Sequence, residues 1–280
     1  MNDGPGTRLP AGVLPLDIET RRAGVSEERR DCVAVEEPLQ ICVAGEPLAT
    51  TMRTPGNDHE LVAGFLFSEG LIQSARDLGT LAPCGRPGED GYGNVIDVTP
   101  GPGTAFDFDG AERARRSSLT TAACGVCGRR SIDDLLSRCG RLADSLRFEA
   151  ERLLGLTARL RQKQLVFSHT GGLHAAALVS VAGEYRIVRE DIGRHNAVDK
   201  VVGRLLLDGC LPASESVLVV SGRTSFEIVQ KAVMARIPMV VSVSAPSSLA
   251  VATAARANLT LVGFARDASF NVYTGRARIL

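Results

Sequence analysis

Two cysteines three residues apart, Cys124 and Cys127, lie in the run Thr120-Thr121-Ala122-Ala123-Cys124-Gly125-Val126-Cys127-Gly128-Arg129-Arg130. Gly125 and Gly128 make the segment pliable. Arg115-Arg116 and Arg129-Arg130 flank it with positive charge, which favours thiolate, the reactive form of cysteine. A helix expected to begin near Ser131 would add its N-terminal dipole in the same sense. Several chemistries fit such a pair. A structural zinc site needs four ligands, but there is no second CxxC, and His169 and His174, spaced H-x4-H, begin 42 residues after Cys127. A thioredoxin-type dithiol opens a helix directly after a βα unit, and no such unit precedes Cys124. A nucleophilic or sulfur-carrying cysteine on a mobile loop suits the glycines and arginines. Two inert thiols are the bland alternative. Cys32, Cys42, Cys84, Cys139 and Cys210 have no partner spacing and are expected to be structural.

Three polar segments interrupt the aliphatic second half of the chain. Ser168-His169-Thr170-Gly171-Gly172-Leu173-His174 follows a predicted strand, and its paired glycines allow close backbone approach. Glu190-Asp191-Ile192-Gly193-Arg194-His195-Asn196-Ala197-Val198-Asp199-Lys200 is the densest polar stretch. Asn196 could cap the helix that starts there, and Asp199 and Lys200 could simply be exposed. Val198, Val201, Val202 and Leu205 supply a buried face and leave the polar face free to line a pocket. Val217-Leu218-Val219-Val220-Ser221-Gly222-Arg223-Thr224-Ser225 reads as strand, turn and helix start, whose free amides and dipole attract anions. Arg223 adds a fork for phosphate or carboxylate. Ser242-Val243-Ser244-Ala245-Pro246-Ser247 repeats the geometry, and Gly263-Phe264-Ala265-Arg266-Asp267 ends the last strand. Open α/β sheets bind ligands at such strand ends, so a site for several phosphates or a nucleotide is expected. No GxxxxGK[ST] occurs, so the chain is not a P-loop NTPase.

The elements that must position these groups follow from pattern and composition. The chain has 280 residues, 44% hydrophobic and 23% charged, enough for a substantial aliphatic core in about two domains. Acidic and basic residues balance at 32 each, which argues against wrapping a nucleic-acid backbone. All the basic residues except Lys163, Lys200 and Lys231 are arginines. No run of 18 apolar residues predicts a membrane span, and the N-terminus has no signal-peptide pattern, so a cytoplasmic protein is expected. Residues 1–28 read as a loose arm. Leu39–Val43 and Leu48–Met52 predict a β-hairpin. Leu61, Val62, Phe65 and Leu66 mark a helix that ends at Gly70. Strand-like pieces follow at Asn94–Val98 and Thr104–Phe108, and residues 131–162 read as helical. Strands are expected at Gln164–Ser168, Ala176–Val181, Tyr185–Val188, Val217–Val220, Met239–Val243 and Leu259–Val262. Helices are expected at Asn196–Leu207, Ser225–Ala235 and Ser247–Ala257, which implies parallel strands with crossover helices. The fold class is therefore α/β: a small α+β domain over 29–125, then a three-layer αβα domain over 126–280.

The segments CGVCG (124–128), HTGGLHAAAL (169–178), EDIGRHNAVDK (190–200), SGRTSFEIVQKA (221–232) and SAPSSLAV (244–251) resemble those of the formate dehydrogenase accessory sulfurtransferase family, FdhD. So does EEPLQICVAGEPLATTMRTPGNDHELVAGFLFSEGLI (37–72), and the likeness covers about residues 33–275. The resemblance implies a sulfur carrier that takes persulfide sulfur from a cysteine desulfurase and passes it to the molybdenum cofactor of formate dehydrogenase. That cofactor is the bis-molybdopterin guanine dinucleotide form, a client ligand. No tightly held metal of the protein's own is implied. Carried over, Cys124 holds the persulfide and Cys127 assists or resolves. The guanine dinucleotide region falls on Phe264, Ala265, Arg266, Asp267, Ala268 and Ser269. With the strand-end residues His169, Gly171, Gly172, Arg194, His195, Gly222, Arg223 and Ser244, these form the expected cofactor site. The family's second domain is similar in fold to cytidine deaminases, but H-x-E with P-C-x-x-C is absent here, so deaminase chemistry and its zinc are not expected. A cofactor chaperone without covalent sulfur transfer is the alternative. A homodimer is compatible with either.

Overall fold

The computed structural model describes residues 9–104, 106 and 125–280, with backbone alone for 125–131. Three sheets organise the described residues. A ribbon pairs β1 (Val13–Arg22) with β2 (Val25–Ala34). A four-stranded sheet runs β4-β3-β6-β5, from β3 (Glu37–Val43), β4 (Glu46–Arg53), β5 (Leu78–Pro83) and β6 (Val95–Pro100). A six-stranded sheet runs β12-β11-β10-β9-β7-β8, from β7 (His174–Ser180), β8 (Tyr185–Asp191), β9 (Ser216–Val220), β10 (Met239–Ser242), β11 (Thr260–Gly263) and β12 (Asn271–Thr274).

The helices are α1 (Asp58–Ser68), α2 (Gly125–Cys139), α3 (Ala150–Leu153), α4 (Leu156–Gln162), α5 (Leu165–Thr170), α6 (Arg194–Leu207), α7 (Phe226–Met234) and α8 (Ser248–Ala257). Among the described residues no helix is long and apolar enough to cross a membrane.

The large sheet is mixed. β9, β10 and β11 are parallel, joined through α7 and α8, while β7 runs antiparallel to β8 and β9, and β12 antiparallel to β11. Its central strands are apolar on both faces because both faces are covered. Leu178, Leu218, Val220, Val240 and Leu261 join one core with residues of α1, α6, α7 and α8. Val179, Val217, Val219, Met239, Val241 and Val262 join a second with Leu153, Leu156 and Leu160. This is a three-layer α/β arrangement.

Several expectations need correction. Part of the expected loose arm is the β1–β2 ribbon. β1 alternates apolar and polar residues over Leu16-Asp17-Ile18-Glu19, and the ribbon closes on Ala23-Gly24, both at positive φ (47° and 87°), the backbone of a tight two-residue hairpin turn. The expected strand Gln164–Ser168 lies largely within helix α5: the Glu190 carboxylate, distant in sequence, accepts from the amides of Val166 (3.0 Å) and Phe167 (2.8 Å) and so caps it. The helical stretch 131–162 begins earlier, at Gly125, and breaks after Cys139, where Gly140 turns left-handed (φ 65°). Thr104 and Phe106 are irregular, and the rest of that expected strand lies outside the described residues. β5 and β12 were not anticipated.

Candidate functional site

One end of the large sheet collects most of the expected site residues. The carboxyl ends of β8, β9, β10 and β11 meet the start of β7 there, because β7 is antiparallel to β8 and β9. Three turns are laced together at this crest. Ala175 N donates to Ser221 Oγ (2.8 Å) and Ser221 N returns to Ala175 O (3.0 Å). Ser242 Oγ donates to Gly222 O (2.7 Å), Thr224 N to Ala245 O (3.2 Å) and Ser247 N to Thr224 O (2.9 Å). Phe264 N donates to Ser244 O (3.2 Å) and Ala265 N to Ser242 O (3.0 Å). Phe264, exposed, sits at φ 51°, a left-handed conformation that costs a bulky residue energy and here is held by the lacing.

Three helices of at least nine residues, α6, α7 and α8, begin at this end, so their free amides and positive dipole ends converge. Gly222 stands against the crest side chains: a Cβ there would meet His174 Nδ1 at 3.2 Å and Arg194 Cβ at 3.6 Å. Arg194 Nε is buried with no hydrogen-bond partner, a donor whose desolvation a ligand acceptor would offset. His195 Nε2 lies 3.1 Å from Ser225 Oγ and 3.8 Å from a Glu227 carboxylate oxygen. Burial, then the nearby Arg194 and Lys231 cations, push the His195 imidazole down to about 4. Burial, Arg194 and Arg223 lower that of His174. Near neutral pH both rings are thus uncharged, and the positive charge of the crest comes from Arg194, from the exposed Arg223 and from the helix ends. Helix starts and arginines favour an anion here, and the neutral ring nitrogens are able to hydrogen-bond.

Other expected residues do different work. His169 is exposed near the end of α5, and Gly171 (φ 67°) is that helix's left-handed cap, its N–H donating to Phe167 O at 2.7 Å. Gly172 abuts Ala34 at the base of the ribbon. The glycine pair therefore serves a turn into β7. Arg266, Asp267, Ala268 and Ser269 form an exposed turn closed by Arg266 N to Ser269 O (2.8 Å), while Ala265 is buried beneath it.

The polar stretch 190–200 is mostly structural. Asp191 is fully buried; it accepts from Gly193 N (2.8 Å), Asn196 Nδ2 (3.0 Å) and Thr54 N (3.3 Å), and pairs with Lys200 Nζ at 2.7 Å. Asn196 also donates to Met52 O (2.8 Å), so it ties the two larger sheets together rather than capping α6. Asp199 accepts both bonds of a buried pair with Lys231 Nζ (2.7 and 2.8 Å) and one from Ser68 Oγ of α1 (3.1 Å). Burial raises its pKa, against the pull of Lys231. Asp199 and Lys200 are thus interior; Arg194 and His195 are the members of this stretch that reach the crest. The expected helix start also brings Ser225 and the buried Thr224 hydroxyl, which has no partner, to this end.

Cys124 lies outside the described residues. Cys127 is the third residue of α2, so the helix starts at the CxxC and not beyond it. The last turns of α2 are anchored by Arg138 Nη1 to Glu69 O (2.9 Å), Arg256 Nη2 to Asp133 Oδ1 (2.6 Å) and Arg236 Nη1 to Cys139 O. Arg236 follows α7 and Arg256 is in the last turn of α8, so these anchors lie at the opposite ends of α7 and α8 from the crest. Among the described residues no group of three or more His, Cys, Asp and Glu is placed to hold a metal.

The profile of the FdhD/NarQ family matches residues 34–280. A sulfur carrier protein FdhD of Streptomyces avermitilis is 51% identical over 263 residues, 92% of each chain. One from Anaeromyxobacter dehalogenans is 49% identical over 276 residues, 96% of this chain and 95% of that one. The crystal structure of a candidate formate dehydrogenase accessory protein from Desulfotalea psychrophila shares the fold with a TM-score of 0.74 at 26% identity, over 96% of this chain and 99% of its own.

Proposed function

The chain belongs to the FdhD/NarQ family, and from that premise we propose that it carries sulfur as a persulfide on Cys124, from a cysteine desulfurase to the molybdenum cofactor destined for formate dehydrogenase. The observation that carries this reading is the CGVCG run, whose Gly125 and Cys127 lie in the first turn of α2, in a chain whose relatives are named sulfur carriers. A helix start and flanking arginines lower a thiol's pKa and keep it as thiolate.

Loading is an exchange with no net redox change. The Cys124 thiolate attacks the outer sulfur of the donor persulfide, that S–S bond breaks, and the donor cysteine leaves with the electron pair as a thiolate. In release, the Cys127 thiolate attacks the inner sulfur of the Cys124 persulfide. The outer sulfur departs as sulfide, reduced by two electrons, while the two cysteines are oxidised to a disulfide. A dithiol reductant reopens the pair for the next cycle. The sulfide is delivered to the molybdenum of the bis-molybdopterin guanine dinucleotide, which is a substrate here.

The crest supports the other half of the reading. Convergent helix starts with Arg194 and Arg223 suit the pyrophosphates of a guanine dinucleotide, and Phe264 offers an exposed ring beside them. Maturation of formate dehydrogenase in cells whose own carrier is deleted tests the proposal. Wild type restores activity and Cys124→Ala does not, at equal protein level; full activity with Cys124→Ala overturns it, and would leave the cofactor-chaperone reading.

A further inference from the structure

β12, at the edge of the large sheet, carries a bulge. Leu261 pairs with Thr274 and Val262 with Val272, which leaves Tyr273 as an extra residue outside the register. A bulge re-aims a side chain, and bulges gather beside functional sites. Here the ring of Tyr273 reaches Gly263, the last residue of β11, whose own partner in register is Asn271. A Cβ on Gly263 would lie 2.9 Å from Tyr273 Cε2, 3.1 Å from Pro246 Cδ and 3.1 Å from Ser244 O. The missing side chain at Gly263 thus makes room for the ring at the crest end of the strand.

Tyr92, Phe264 and Tyr273 are the exposed aromatic residues among those described, and two of the three stand at this end of β11. The Tyr273 hydroxyl has no hydrogen-bond partner among the described residues, so packing holds the ring. Pro246 joins this corner to the polar part of the crest. It is bridged to Thr224, whose buried hydroxyl has no partner and which lies between Arg223 and Ser225. An aromatic surface thus adjoins unpaired polar groups and helix starts. The geometry points to Tyr273 as a further binding residue of the crest, its ring stacking on a fused-ring nitrogen heterocycle joined to a diphosphate. This rests on the reading of the crest as a nucleotide site. The diphosphate takes the arginines and helix starts, and the heterocycle lies at the β11–β12 corner. Guanine and pterin share this flat form, and stacking accepts any π face.

Titration calorimetry on the full chain tests this with guanosine diphosphate, 6-hydroxymethylpterin diphosphate and inorganic pyrophosphate. Tyr273→Leu should bind at least one of the two heterocyclic ligands about 10-fold or more weakly than wild type, and pyrophosphate with unchanged affinity. Tyr273→Phe keeps the ring and breaks no hydrogen bond, and should match wild type for all three. A loss with guanosine diphosphate assigns the ring to guanine, and a loss with the pterin compound alone assigns it to pterin. Wild-type affinity of Tyr273→Leu for both heterocyclic ligands, an equal loss for pyrophosphate, or a loss in Tyr273→Phe as large as in Tyr273→Leu overturns the inference and leaves the crest as a nucleotide site. A wild type that binds neither heterocyclic ligand overturns the nucleotide reading of the crest, and this inference with it.

Discussion

Gly64 of α1 and Gly203 of α6 face each other where these helices cross, with no room for a side chain on either. A Cβ on Gly64 would lie 1.9 Å from Asp199 O, and one on Gly203 1.8 Å from Glu60 O. Those neighbours are helix backbone, so they cannot give way as a side-chain end can. The crossing brings Ser68 to Asp199 and Glu60 to Arg189 (2.7 Å), and so fixes α6, whose first turn carries Arg194 and His195. Gly203→Ala should lower the free energy of unfolding by ~3 kcal/mol, read from the urea midpoint at constant slope. An unchanged midpoint would mean that the helices separate at little cost.

His195 gives the account a pH signature. Its ring titrates near 6.5 when unfolded and at about 4 when folded, through burial and then Arg194 and Lys231, with Glu227 opposing. Between those values the unfolded chain binds a proton that the folded chain does not. The stability due to this group is therefore complete above about pH 6.5 and is lost as pH falls toward 4. The difference in unfolding free energy between wild type and His195→Gln should change across that window and be flat above it. A ring proton resonance titrating near 6.5 in the folded protein would contradict this.

The sequence made some of this legible and hid the rest, for identifiable reasons. The apolar runs of β9, β10 and β11 and the helical rhythm between them are local signals, and those elements appear where expected. So does the β3–β4 hairpin, whose Ala44-Gly45 turn lies at positive φ (51° and 84°). α5 is not legible in the sequence because Leu165-Val166-Phe167 is too short to reveal a period, and the carboxylate that caps it belongs to Glu190. Asp199 and Lys200 looked like solvent-facing charges because their partners, Lys231 and Asp191, and the covering helix α1 are not sequence neighbours. The strand-end glycines and serines of the crest were readable, because turn chemistry is local. The geometry that makes Arg194 an unpaired donor was not, because it depends on packing among three separate segments.

Guanine nucleotide binding tests the crest separately from the cysteines. Arg194→Gln and Arg223→Gln should each weaken guanosine diphosphate binding by about 10- to 100-fold, the range expected for loss of a charged hydrogen bond, as read by titration calorimetry. Cys124→Ala should bind as wild type does. Equal affinity in both arginine variants would move the nucleotide site away from the crest.

Sulfur loading itself is the most direct measurement. After incubation with a cysteine desulfurase and free cysteine, intact mass should rise by one sulfur atom, carried on the peptide that contains Cys124. The gain should vanish on treatment with a thiol reductant, be absent in Cys124→Ala and persist in Cys127→Ala. A mass that never rises, or one that rises equally in Cys124→Ala, would contradict the assignment of this residue as the sulfur carrier.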